Sequence, residues 1–152
     1  MDSNPQQTQH LNRLQDSKTV INALSVDVEE YYHTTIFQEA TRRLPTQRES
    51  RVVAATDRLL NLFAAHRASA TFFVLGEVAA DHPALVRRIA TAGHEIACHG
   101  YHHELVSRQR PEEFREDVHR TKVLLEELAG QPVLGYRALH IAERGMGIRY
   151  PA

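Results

Sequence analysis

Apolar residues gather in four short runs, and amphipathic stretches of helical period lie between the later ones. V-I-N-A-L-S-V-D-V at 20–28 mixes alternation with a continuous apolar run and predicts a strand that ends near Asp27. Residues 29–50 have little periodicity and contain Pro45. They read as a long loop with room for a short helix at 36–44. Val52, Leu59, Leu60 and Phe63 stand at helical spacing and predict a helix over 51–66. A-T-F-F-V-L at 70–75 is a short β-prone run, a buried second strand. A helix then opens at Pro83, sets Leu85, Val86 and Ile89 on one side, and stops before Gly93. H-E-I-A-C at 94–98 is a third strand. Pro111, Glu112 and Glu113 open a strong helix, since proline has no amide to leave unpaired and the acids favour the positive end of the dipole. Its stripe is Phe114, Val118, Leu125 and Leu128, Gly130 ends it, and residues 133–136 read as a fourth strand.

Strands alternating with helices predict an α/β fold with a parallel sheet or barrel. In such folds ligands gather at the carboxyl ends of the strands. Asp27, His99 and Arg137 all fall at or just past predicted strand ends, so the pattern places them in one site.

Composition narrows the function classes. The chain has 152 residues, enough for one domain with a real core. Nineteen acidic against 18 basic residues leave a net charge of -1, which gives no electrostatic reason to expect nucleic acid or an anionic membrane as partner. The single cysteine, Cys98, cannot form an intramolecular disulfide and reads as a small buried filler rather than a nucleophile. Residues 1–18 are polar and read as a flexible tail. With no secretory signal and no span-length apolar run, the expected location is the cytoplasm.

Four of the ten histidines fall at 94, 99, 102 and 103. Imidazoles at i and i+4 converge on one cation if the backbone bends as in a helix, which favours His99 with His103. His99 with His102 is the competing pair, and an incidental surface pattern is the bland reading. His94, at the start of its strand, is expected at the opposite end from the site, packed or on the surface. Asp27, Glu29 and Glu30 offer carboxylates: one to ligate a metal, another to take a proton from water. Helix or turn capping is the plain alternative for Glu29 and Glu30. Asp27 on a buried strand needs a partner, and Arg137 is a candidate, with a simple surface arginine as its competitor.

These segments resemble the metal-dependent polysaccharide deacetylases, the NodB-homology enzymes of the carbohydrate esterase four group. S-V-D-V-E-E-Y-Y-H at 25–33 resembles the first motif of the branch linked to exopolysaccharide loci. A-T-F-F-V-L-G at 70–76 resembles the second strand, G-H-E-I-A-C-H-G-Y-H-H at 93–103 the histidine motif, and G-Y-R-A at 135–138 the start of the arginine motif. The resemblance implies the N-terminal portion of a distorted (β/α)7-type barrel over residues 19–138. It also implies hydrolysis of N-acetyl groups on the amino sugars of a polysaccharide or oligosaccharide. Asp27 would be the general base, oriented by Arg137. His99, His103 and Glu29 would hold a divalent metal, usually zinc.

The family's arginine motif continues R-A-P, whereas Leu139 stands here, and 139–152 form an atypical tail. The later strands, a substrate-lining motif and a late histidine acting as general acid are not recognisable in it. His140 lacks the context to replace that acid. The expectation is therefore a truncated deacetylase that self-associates through an uncovered barrel edge. The alternatives are an inactive metal- or glycan-binding remnant, or a plain α/β module.

Overall fold

The structure is a computed structural model that describes residues 22–33 and 49–138. The expected N-terminal tail, the helix at 36–44 and the C-terminal tail lie outside the described residues. Three strands, β1 (Ser25–Val28), β2 (Thr71–Val74) and β3 (Glu95–Cys98), pair in parallel in the order β1-β2-β3. Between them run α1 (Val52–His66), then α2 (Gly76–Asp81) and α3 (Pro83–Thr91), and α4 (Pro111–Ala129) follows β3.

The register shows which side the helices cover. Val26, Phe72 and Ile96 are aligned, as are Val28, Val74 and Cys98. Val28, Phe72, Val74, Ile96 and Cys98 join one buried cluster with Val52 of α1, Val78 and Ala79 of α2, Leu85, Val86 and Ile89 of α3, and Leu125 of α4. Full burial of a side chain such as Phe72 or Ile89 is worth about 1.5–3 kcal/mol. All four helices therefore pack on one face. The other face carries Ser25, Thr71 and Glu95 in one row and Asp27, Phe73 and Ala97 in the next. Sequential strand order with one-sided helices is the signature of a β/α barrel segment, because a doubly wound sheet reverses its order and covers both faces.

Two expectations need correction. Helix α2 was not foreseen, because six residues are too few to display a period. The fourth strand is reduced to a single parallel bridge between Cys98 and Tyr136. The reason lies at Val133: its N–H donates to Glu126 Oε1 (2.9 Å), and its carbonyl accepts from Lys122 Nζ (2.8 Å). Side chains of α4 thus occupy the groups a ladder would need. Pairing with β3 survives only where Cys98 N–H meets the Gly135 carbonyl (2.8 Å) and Arg137 N–H meets the Cys98 carbonyl (3.0 Å).

His94 packs at the start of β3, 5% exposed, against Phe63 and Phe72, and accepts the Ala70 N–H at Nδ1. It is a core histidine, remote from the strand ends that carry the other three.

Candidate metal centre

At the carboxyl end of β3 the chain enters H-G-Y-H-H, and several contacts hold that loop. The first amides of α2 donate to it, Gly76 N–H to the Gly100 carbonyl (2.9 Å) and Glu77 N–H to that of Tyr101 (3.1 Å). From the other side Tyr101 N–H donates to Asp117 Oδ2 of α4 (2.9 Å), and the Arg120 guanidinium lies 3.6 Å over the Tyr101 ring. Two glycines make this possible. A Cβ on Gly76 would stand 2.2 Å from the Tyr101 ring, and Gly100 takes φ +81°, where a side chain is strained. Burial raises the Asp117 carboxyl above its ordinary value, against the lowering effect of the Tyr101 amide.

The loop delivers two imidazoles to the end of β1. His103 Nε2 lies 2.7 Å from Glu29 Oε2 and His99 Nε2 lies 4.0 Å from the same oxygen. His99 is buried, and its Nδ1 is 2.9 Å from the Arg137 carbonyl. A carbonyl only accepts, so Nδ1 carries the proton and Nε2 keeps its lone pair for a ligand. Burial alone would raise the Glu29 carboxyl; the neighbouring His103, His99 and His33 imidazoles outweigh it and hold the group below its ordinary value.

The donor set fits a divalent cation. One ligand atom from each of Glu29, His99 and His103 lies within 4.8 Å of the others, close enough for bonds of about 2.0–2.2 Å to a single ion after small side-chain movements. Glu29 Oε2 is sealed from solvent and faces Nε2 of both His103 and His99, so a cation could take the place of the proton between these donors.

The acids separate by role. Asp27 Oδ1 is 2.5 Å from Arg137 Nη1, Arg137 Nη2 donates to Ser25 Oγ (2.7 Å), and the guanidinium lies 3.9 Å over the Phe73 ring. Glu30 is buried and does cap, but it caps α1. It accepts from Ser50 Oγ (2.5 Å) and from the amides of Arg51 (3.0 Å) and Val52 (3.4 Å). His102 turns away, exposed, to Glu77 (2.9 Å). Glu77 and Asp117 escaped sequence reading, for a lone polar residue signals nothing until folding brings its partner near, and Ser25 stood in the first motif without a role. His33 was visible in the motif but carried no role.

The sequence profile described as "Polysaccharide deacetylase" matches residues 47–139, more than half of the chain. The chain belongs to the polysaccharide deacetylase family. The match includes His99, His103 and Arg137; Asp27 and Glu29 precede it and reach the same place through β1. Among relatives, a peptidoglycan-N-acetylglucosamine deacetylase of Bacillus cereus is 39% identical over 49% of this chain and 27% of its own length. A chitooligosaccharide deacetylase of Bradyrhizobium sp. is 41% identical over 41% of this chain and 29% of its own. The chain thus matches less than a third of either relative. A solved peptidoglycan N-acetylglucosamine deacetylase superposes with TM-score 0.53 at 30% identity, over 71% of this chain and 41% of that one. A CE4 family pseudoenzyme from Bacillus anthracis shares the fold, with TM-score 0.60 at 19% identity, over 76% of this chain and 34% of that one. Among the described residues, no helix is long and apolar enough to cross a membrane.

Proposed function

We propose that this chain carries the catalytic centre of a zinc-dependent deacetylase that hydrolyses N-acetyl groups on the amino sugars of a polysaccharide or oligosaccharide. The observation that carries the reading is the convergence of Glu29, His99 and His103 beside an aspartate held by Arg137. Glu29, His99 and His103 are the metal ligands. Zinc at that position would polarise the acetyl carbonyl and acidify water. Asp27 is the general base: it accepts a proton as water adds to the acetyl carbon, the C–N bond breaks, and acetate departs from an amine that gains a proton. Arg137 aims Asp27 through the hydrogen bond to its carboxylate, while Ser25 and the Phe73 ring fix the guanidinium. The relatives named for chitooligosaccharide and peptidoglycan support an N-acetylated glycan as substrate, and the S-V-D-V-E-E-Y-Y-H motif favours an exopolysaccharide.

A non-catalytic metal- or glycan-binding protein is the second reading, favoured by the fold shared with a pseudoenzyme. Zinc titration combined with acetate release from chitooligosaccharide separates the two. Zinc uptake with acetate release, lost in Asp27→Asn, supports the enzyme. Uptake without release supports the second reading, and absence of uptake removes the enzyme and leaves only glycan binding.

A further inference from the structure

We propose that His33 is a positioning residue for the ligand His103, an inference that rests on reading Glu29, His99 and His103 as a metal site. The two ligating rings are secured differently. His99 has a hydrogen bond to the Arg137 carbonyl. His103 sits on a backbone with φ +54°, and its imidazole is packed between rings. The His33 ring is stacked on it, with centroids 6.3 Å apart and planes inclined by 25°, and His99 meets its edge at 5.9 Å. Offset stacking at that separation is attractive and restricts the torsions that aim Nε2.

His33 can serve as a reference surface because it is itself fixed. Its Nδ1 accepts the Glu30 N–H (3.2 Å), and its own N–H donates to the Glu30 carbonyl (2.9 Å), which closes a tight turn after β1. Its Nε2 faces Glu77 Oε2 at 3.8 Å, and Tyr32 contacts the ring edge-on at 5.0 Å. Glu30 is anchored in turn by its side chain at the N-terminus of α1. A continuous chain of contacts therefore runs from the buried end of α1 through Glu30 and His33 to His103. Groups that orient a ligating imidazole from outside the metal's immediate ligands commonly change affinity when removed.

The test compares His33→Leu, which fills the space without an aromatic face, with His33→Phe, which keeps one. Zinc affinity is read by competition with a chromophoric chelator, and the metal-free proteins are compared by thermal melting and by the NMR signals of the His103 imidazole. The expected result is a roughly 10–100-fold loss of zinc affinity in His33→Leu with a displaced or broadened His103 signal, and affinity within about threefold of the parent in His33→Phe. Both metal-free variants should melt alike. Parental affinity in His33→Leu, or equal losses in the two variants, overturns the proposal and leaves the metal site standing. Failure of the parent chain to take up zinc overturns the metal reading and this proposal with it.

Discussion

Asp27 and Arg137 stand 110 residues apart in sequence and meet at 2.5 Å, Oδ1 to Nη1, across the ring of Phe73. The same arginine holds His99 through its backbone carbonyl, so side chain and main chain serve different halves of the site. Arg137→Ala should therefore lower acetate release by about 10²-fold, toward the loss expected when a general base is misplaced. Zinc affinity should stay within about threefold, because the carbonyl survives the substitution. Parallel loss of both would mean that the guanidinium supports the loop as a whole.

Glu29 and Glu30 are neighbours with unrelated work, and two substitutions should tell them apart. Glu30→Ala strips the cap from α1 and leaves the Arg51 and Val52 amides and the Ser50 hydroxyl without their acceptor. It is expected to cost about 1–3 kcal/mol in a denaturant titration. Zinc should still stabilise that variant, by about 2.7 kcal/mol at a hundredfold excess over Kd. Glu29→Ala should melt near the parent without metal and gain little from zinc. Chelation with EDTA should reverse the zinc-induced rise in Tm of the parent.

Gly76→Ala should drive a methyl into the Tyr101 ring, which cannot retreat because Arg120 covers it. Overpacking of this kind costs about 1–3 kcal/mol. A loss of zinc affinity should accompany it, since Tyr101 lies between His99 and His103. An unchanged urea midpoint would show that the loop moves more freely than its contacts indicate.

His94 gives the fold a pH dependence of known sign. Burial against Phe63 and Phe72 lowers its basicity below the ordinary value of 6.5. The unfolded chain thus takes up a proton before the folded one does. The resulting stabilisation is present above about pH 6.5 and is lost as pH falls through the lower folded value. Thermal melting between pH 7.5 and 5 should show Tm falling, and His94→Gln should flatten that slope while keeping an acceptor for the Ala70 amide. An equal slope in the variant would assign the effect to other groups.

Much of the fold was legible in the sequence because it is local. Pro83 and Pro111 open α3 and α4 where expected, and Leu85, Val86 and Ile89 are buried as their spacing demands. The ends of β1 and β3 were legible too, which is how Asp27 and His99 were grouped, while Arg137 joined them from an expected strand that is only a bridge. What escaped was decided by tertiary competition. The β propensity of residues 133–136 yields to Lys122 and Glu126, and Glu30 serves a helix that begins 22 residues later. The choice between His102 and His103 was likewise open in the spacing. The actual loop is no helical bend, since positive φ at Gly100 and His103 turns one imidazole inward while its neighbour faces Glu77.

Position 103 sets backbone comfort against side-chain chemistry. A left-handed conformation suits glycine or asparagine better than histidine, by an amount on the order of 1 kcal/mol. Relief of that strain would offset part of what is lost with the ring's contacts to His33, His99 and Glu29. Histidine at this position therefore sets a backbone cost against the donor it supplies: glycine would relax the turn and leave Glu29 and His99 without their third partner.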